Sequence, residues 1–395
     1  MMQKLSRRSF MVGAATAAAA LRVAGANDRI RLGIVGSGQR GQYLMRSANE
    51  VGNVDWVAVS DIWDLRRDQA EQIAGTEIAK YGDYRRLLER KDIDGVIVAT
   101  FDHLHAQIAA DACRAGKDVF VEKPMTSLPL QGHEVVKAVR ETRQVVQVGV
   151  QQRSTPHFIE AKKRFFDSGL MGRVNMVRTL WNANGGYLTP VPTGMERKPE
   201  GLDWEACLGW LPKIPWDAKR YFNRFAYWDF STGGQTGGLF VHMVDVVHWF
   251  LGLHRPTAAV GMGGIYRYDD GRDTPDNVNL VLEYAEKINV TFEATITDMI
   301  PAGSADIVFM GSGGRLAIFR YGYKFLPSGE NAQIGEISSR STEDSHMANW
   351  LECMRTRQEP NANVVDGHYG AMACHIGNLA YKEKRRVVWQ KEWDV

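Results

Sequence analysis

Apolar residues along this chain follow two different rhythms. In the first part, short unbroken apolar runs alternate with longer mixed stretches. Ile30, Leu32, Ile34 and Val35 form the first run, with a helix expected from about Gln42. The stretch VDWVAVSDIW makes a second strand ending at Asp61, and Gly95 to Ala99 makes a third. A helix through Cys113 and Gly116 follows, then the strand DVFVEKP. Alternation of this kind predicts a doubly wound parallel sheet, because strands buried on both faces need helices to cover them and return the chain. Farther on the period shortens to two. NVNLVLEY places Val278, Leu280, Leu282 and Tyr284 on one face, and INVTFEATI does the same with Ile288, Val290, Phe292, Ala294 and Ile296. These are strands with one covered and one more polar face. The GSGG at 311–314 joins two further apolar strands and reads as a hairpin turn rather than a phosphate loop.

A length of 395 residues fits two domains, or three, and the 44% apolar and 24% charged content is ordinary for a globular chain. A formal net charge of +2 gives no sign of a nucleic-acid surface. Cys113, Cys207, Cys353 and Cys374 form no CxxC pair, so buried free thiols are expected rather than a disulfide framework or a zinc site. No repeat at solenoid or propeller spacing is visible.

The N-terminus carries a different signal. In KLSRRSFMVGAATAAAAL, Arg7 and Arg8 precede Phe10 and a soft apolar run from Met11 to Leu21, and Ala24-Gly25-Ala26 supplies a small-residue cleavage site before Asn27. This is the layout of a secretory signal, with the arginine pair of the twin-arginine version. The run is too short to span a bilayer, which takes roughly twenty residues. A soluble mature protein with no membrane insertion after signal removal is expected, exported to the periplasm or beyond.

Between the first strand and its helix lies Gly36-Ser37-Gly38-Gln39-Arg40-Gly41, a GxGxxG. Its first glycine permits a tight turn, its second lets backbone N–H groups approach a pyrophosphate, and its third lets the helix pack closely on the strand. Asp61 follows about twenty residues later, where an acidic side chain accepts hydrogen bonds from the adenosine ribose and repels a 2′-phosphate. NAD(H) is therefore favoured over NADP(H). Arg66 and Arg67 are read as helix surface as readily as phosphate contacts.

Glu122-Lys123-Pro124 at the end of a strand resembles the signature of the glucose–fructose oxidoreductase, inositol dehydrogenase and MocA (Gfo/Idh/MocA) family. The GSGQRG, DHLH, the VGVQQR of Val148 to Arg153 and the HMVDVVHWFLG of His242 to Gly252 resemble it too. The resemblance implies an α/β plus α+β chain: an N-terminal Rossmann domain over 27–152 after a signal over 1–26, then a substrate-binding and oligomerisation domain over 153–395. That second domain is expected to be an open, mostly antiparallel sheet, and a C-terminal helix can pack back on the Rossmann domain. It further implies a homo-oligomer (dimer or tetramer), a Lys123 near the nicotinamide and the substrate hydroxyl, and a cis Pro124. Cofactor contacts are expected from Gly36, Gly38, Gln39, Arg40, Gly41, Asp61, Thr100, His105, Glu122 and Lys123.

Oxidising a carbinol requires a base for the hydroxyl proton, with a pKa near working pH. Lys123 can serve if burial and neighbouring positive charge lower its pKa. His242 is the second catalytic candidate. The family pattern places an Asp four residues before this His, where this chain has Gly238, and Asp229 is nearby in sequence. His242, Asp245 and His248 do not read as a metal site, since on a helix His248 lies about 120° from His242. Phe101 stands where the family usually has proline. For a sugar substrate, Arg153, Asn182, Asn184, Tyr187, Trp228 and Asp245 join His242 as candidate contacts, with Trp181 a further aromatic.

No pool of free NAD is evident outside the cytoplasm. An exported nicotinamide enzyme has to carry its cofactor and restore it in each cycle, which explains folding before export. The leading expectation is thus an oxidoreductase with tightly bound NAD(H) acting on a sugar or glycoside hydroxyl. The alternatives are glycoside cleavage or isomerisation through a transient keto-sugar, and a non-catalytic sugar- or nucleotide-binding protein.

Overall fold

The computed structural model describes residues 29–182, 190–297, 305–329, 335–338 and 344–395. Strands β1 (Ile30–Val35), β2 (Val54–Ser60), β3 (Ala79–Tyr81), β4 (Gly95–Val98), β5 (Asp118–Val121) and β6 (Val146–Val148) form one six-stranded sheet in the order β3-β2-β1-β4-β5-β6. Every neighbouring pair is parallel. Helices α1 (Gln39–Val51), α2 (Asp64–Ala74), α3 (Tyr84–Leu88), α4 (Asp102–Arg114) and α5 (Gln131–Thr142) make the crossovers. All residues of β4 and β5 are buried, which is why those segments are continuous apolar runs without alternation. The strand order reverses between β1 and β4, and the carboxyl ends of these strands border the crevice where such sheets take ligands.

Two local details depart from the sequence expectation. The edge strand β3 is only three residues long and its neighbours carry no apolar run to announce it. Helix α1 begins at Gln39, before the expected Gln42, so the third glycine of the loop lies in its first turn. A Cβ on Gly41 would sit 2.1 Å from the Gly36 carbonyl oxygen, so the helix starts this close to the strand only because position 41 is glycine.

After β6 come helix α6 (Pro156–Ala161), continued as a π-helix over Lys162–Asp167, and strand β7 (Val174–Asn182). The second sheet has nine strands: β7 with β8 (Ala258–Gly264), β9 (Asn277–Tyr284), β10 (Ile288–Thr295), β11 (Ile307–Gly311), β12 (Gly314–Phe319), β13 (Gly322–Pro327), β14 (Gly335–Ser338) and β15 (Val387–Val388). Their order is β14-β13-β12-β11-β7-β10-β9-β8-β15. Only β7 and β10 run parallel; the other neighbours are antiparallel. The expected two-residue alternation is present: Val278, Leu280, Leu282 and Tyr284 are buried, as are Ile288, Val290, Phe292 and Ala294. The GSGG is a hairpin turn, with Gly311 opposite Gly314.

Between β7 and β8 the chain makes a long excursion holding α7 (Trp204–Leu208), α8 (Ala218–Phe222) and a π-helical turn over Thr236–Phe240 that leads into α9 (Val241–Leu251). Helix α9 and the later α11 (Val364–Glu383) cover one face of the nine-stranded sheet, packing Val241, Val244 and Val247 with Met372 and Ile376 against its buried strands. Asn363 caps α11, accepting from the Val365 and Asp366 amides while the Asp366 carboxylate accepts from the Asn363 backbone N–H. The opposite sheet face exposes Met176, Val260, Met262 and Val281. No helix among the described residues is long and apolar enough to cross a membrane. The four cysteines are buried and unpaired, and burial pushes the Cys113 thiol up to about 12.

Helix α10 (Asp344–Thr356) leaves the second sheet and packs beside α1. Its Met347, Trp350, Leu351 and Met354 join Leu32, Leu44, Trp56 and Phe120 in one core, so the parallel sheet is completed from far along the chain. Trp350→Ala is expected to cost about 3–5 kcal/mol of stability, read as a shift in the denaturant midpoint of the whole protein. A cost below about 1 kcal/mol would mean that α10 is only laid against the surface.

Candidate active site

The glycine loop opens the carboxyl edge of the parallel sheet. Gly36 has φ 87°, and a Cβ there would lie 2.6 Å from the Ala99 carbonyl, so the turn admits no other residue without strain. Gly38 is the N-cap of α1 and has no heavy atom within 4 Å of where a Cβ would project. No side chain caps this helix start. Its first amides are therefore left without a side-chain cap beside an uncrowded Gly38, which fits a pyrophosphate. At the end of β2, Asp61 is buried; its carboxylate accepts from the Ser37 amide at 2.7 Å and the Trp63 amide at 3.0 Å. Burial raises its pKa against the pull of those two N–H groups. Two amides hold the carboxylate beside the glycine loop, the place from which a ribose is read. The residues present fit a dinucleotide.

Across the crevice, β5 runs into Glu122 and Lys123, and the Lys123–Pro124 peptide is cis. Arg40 reaches over from α1 and pairs with Glu122 Oε1 at 2.7 Å. Glu122 is buried, which favours its neutral form, but the charges of Arg40 and Lys123 outweigh this and hold its pKa below the usual value. Lys123 Nζ donates to the Gly238 carbonyl oxygen at 2.5 Å. Burial pushes the lysine down to about 8; Arg224 and Arg40 add to the shift, and Glu122 and Asp102 oppose it.

His242 lies one turn beyond Gly238, near the start of α9. Its Nδ1 is 3.0 Å from Gln152 Oε1, an oxygen that only accepts. Nδ1 therefore carries the proton and the lone pair is on Nε2. Burial, followed by the charge of Lys123, holds the imidazole pKa well below its ordinary value, so His242 is neutral. Gly238 also explains the missing carboxylate. A Cβ there would come within 2.8 Å of the Phe225 ring, so an aromatic side chain from the excursion fills the space a carboxylate would need. Asp229 does not substitute; it pairs with Arg220 at 3.0 Å.

Other residues singled out from the sequence are placed differently. Arg153 and Asp245 are buried against each other at 2.9 Å, and Arg153 also pairs with Asp366 at 3.0 Å. They join the 3-10 turn after β6 to α9 and α11, and their charges are committed there rather than offered to a hydroxyl. Asn182 accepts from the Thr295 amide at 3.0 Å and so continues the β7–β10 pairing. Trp228 is held by three contacts: Lys382 Nζ lies 3.7 Å from the ring centroid, Tyr381 stacks, and the indole N–H donates to the Asp273 carbonyl. These interactions point each of the four to a structural role. His105 bridges the Pro124 and Thr100 carbonyls and so supports the loops after β4 and β5. Thr100, in the loop after β4, is half-buried. Gln39 is exposed at the start of α1. Asn184 and Tyr187 lie outside the described residues. His242, Asp245 and His248 diverge, toward Gln152, Arg153 and the Tyr284 hydroxyl respectively.

Three contributors escaped the sequence reading: the Gly238 carbonyl, Gln152 and Phe225. Gln152 stands within VGVQQR, but nothing in its spacing showed that it faces His242. Phe225 has no motif at all; the glycine at 238 was its only trace.

Comparison with known proteins follows from this geometry. Residues 30–150 match a family model described as an oxidoreductase family with an NAD-binding Rossmann fold, and residues 210–317 match the GFO/IDH/MocA C-terminal domain. The chain is 35% identical over 150 residues to inositol 2-dehydrogenase of Salmonella typhimurium, covering 38% of this chain and 44% of that one. It thus spans less than half the length of the curated relatives it matches. Among solved structures it is similar to a levoglucosan dehydrogenase in complex with NADH and levoglucosan, with TM-score 0.71, 16% identity and coverage of 91% of this chain and 99% of that one. It is also similar to an aldose-aldose oxidoreductase from Caulobacter crescentus complexed with glycerol, with TM-score 0.70, 18% identity and coverage of 91% and 100%. At these identities the structural likeness establishes the fold.

The fit of Phe225 against position 238 gives a direct test. Gly238→Asp is expected to lower stability by about 1–3 kcal/mol through overpacking, and Gly238→Asp combined with Phe225→Ala should recover most of that loss. Thermal unfolding of the two single variants and the double variant measures the coupling. Strict additivity would show that Phe225 is not what excludes a side chain here.

Proposed function

Because this chain belongs to the GFO/IDH/MocA oxidoreductase family, we propose that it is an NAD-dependent oxidoreductase of a sugar or glycoside hydroxyl, exported by the twin-arginine route with NAD(H) already held. The observation that carries this reading is Lys123: half-buried beside the dinucleotide crevice, oriented by a backbone carbonyl, and poised at about 8. A base of that strength takes a hydroxyl proton near neutral pH. The inositol and levoglucosan named for its relatives are both ring polyols, which supports a sugar as substrate.

Gly36, Gly38, Gln39, Arg40 and Gly41 would hold the pyrophosphate and Asp61 the adenosine ribose, with Thr100, His105 and Glu122 supporting the nicotinamide side. Bound NAD+ supplies a hydride acceptor for the carbinol carbon. The work of the chain is proton handling. Neutral Lys123 accepts the hydroxyl proton as the carbonyl forms, and the Gly238 oxygen accepts a hydrogen bond from the resulting ammonium. Neutral His242, with Nε2 unprotonated, accepts a hydrogen bond from a neighbouring ring hydroxyl and so orients the sugar. In a closed cycle the proton and hydride return to a second sugar or to the same one, which removes the need for free NAD outside the cytoplasm. Asn184 and Tyr187 stand as sugar-contact candidates on sequence alone, and the exposed apolar residues of the nine-stranded sheet are the proposed face of a homo-oligomer.

One observation favours the second reading, transient oxidation followed by glycoside cleavage or isomerisation. His242 is a second uncharged group able to accept a proton, and a keto-sugar acidifies its neighbouring C–H. Product analysis separates the readings, since free aglycone marks cleavage and a lactone or alditol marks net redox.

The first test is mass spectrometry of the small molecules released on denaturing the dialysed protein; near-stoichiometric NAD or NADH is the expected result. The second is a single-turnover oxidation of sugar by NAD+-loaded protein across pH. Since the neutral amine is the active form, the rate should rise with pH, reach half its maximum near 8 and level off above. Lys123→Met should form no NADH yet keep its NAD. Full activity in that variant would refute the proton-transfer role.

A further inference from the structure

The excursion between β7 and α9 does more than connect them. Its first part is sewn to the turn after β2. Leu202 pairs with Trp63 in an antiparallel bridge, the Asp64 amide donates to the Gly201 carbonyl at 3.1 Å, and the Asp203 amide donates to the Ile62 carbonyl at 2.8 Å. Its later part is sewn to the start of α4, beyond β4. The Trp210 indole donates to the His103 carbonyl at 2.7 Å, and the His103 ring meets the Cys207 carbonyl at 2.9 Å. In the sheet, β1 lies between β2 and β4. The excursion therefore crosses over the carboxyl end of β1, where the glycine loop begins.

Asp102 is the strongest of these attachments. Its carboxylate is 1% exposed at the first turn of α4, accepting from Arg224 Nη1 at 2.7 Å and from the Thr232 amide at 3.1 Å. A carboxylate this deep is tolerated only when paired, so losing Arg224 would leave a buried charge whose relief is to swing the excursion away. Between the two seams, Tyr221 on α8 inserts its ring between Trp63 at 6.2 Å and Phe101 at 5.6 Å, each measured between centroids. Trp63, Phe101 and Tyr221 thus close the space beside Asp61 with aromatic surface. Phe101 is the residue at the position where the family usually has proline, and this packing gives it a use.

We infer that residues 201–232 form a strap over the adenosine end of the dinucleotide crevice, latched by Arg224 on Asp102, which sets how slowly the cofactor leaves. This rests on the reading that NAD(H) is the retained cofactor. Under the strap a dinucleotide is held by a barrier to escape rather than by contact strength alone. Release requires breaking the Asp102 latch and uncovering the Trp63, Leu202, Trp204 and Phe230 cluster.

The test follows dissociation of NADH from loaded full-length protein into excess NAD+. Arg224→Met should release NADH at least tenfold faster than wild type, and Arg224→Lys, which keeps a cation for Asp102, should restore most of the retention. In wild-type protein, trypsin should cut after Lys213 and Lys219 more slowly when NADH is bound, and cutting should speed release. That arm decides the matter if Arg224→Met fails to fold. Slow release from wild type with equally slow release from Arg224→Met, or cleavage of the strap with NADH still held, would overturn the strap and leave the retained-cofactor reading standing. Rapid exchange in wild type itself would defeat that reading instead.

Discussion

A lysine withdrawn from most of its water must be either neutralised by a partner or relieved of its charge, and the arrangement around half-buried Lys123 favours relief. Its hydrogen-bond acceptor is the backbone oxygen of Gly238, which orients the amine without supplying a full negative charge. The nearby charges are largely spent on one another: Arg40 on Glu122, Arg224 on Asp102, Arg153 on Asp245 and Asp366. What remains at the crevice is an amine able to change protonation state and an imidazole held neutral by burial. The π-helical turn before α9 is part of the same constraint, because it presents the Gly238 carbonyl to the lysine while the missing side chain makes room for Phe225.

Much of the fold could be read from the chain because its signals are local. A strand buried on both faces is a run of apolar residues, a strand buried on one face alternates, and a tight approach of backbone to backbone needs glycine. The six-stranded sheet, the paired strands at 277–295 and the glycine loop all follow from such rules. The site was legible only in part. Lys123, Glu122 and His242 are brought together, but Arg153, Asp245, Asn182 and Trp228 turn out to spend their polar groups on neighbours distant in sequence. A polar side chain beside a crevice looks the same in sequence whether it faces a ligand or the rest of the fold. Gln152 and Phe225 were missed for the same reason, since their importance comes from residues 90 and 13 positions away respectively.

Rigid and movable parts are divided by the kind of contact each uses. The junction between the sheets is held by the buried Arg153 pairs and by the apolar residues that α9 and α11 pack together. The excursion over the crevice is attached instead by one short antiparallel bridge, isolated hydrogen bonds and one partly exposed arginine, with an aromatic cluster shared with Trp63. The two parts still meet at the lysine, because Arg224 and Asp102 both act on the Lys123 charge.

Helix α10 carries a consequence for the order in which the molecule comes into being. The parallel sheet is made first by the ribosome, but its core lacks Trp350, Met347 and Leu351 until synthesis has passed Thr356. Until then the glycine loop is attached to an unfinished half, and a nascent chain has little with which to grip a dinucleotide. If NAD(H) is retained as proposed, its capture waits for the nearly complete polypeptide. For a protein read as crossing a membrane in the folded state, that delay makes an occupied crevice a report that the whole chain has been built.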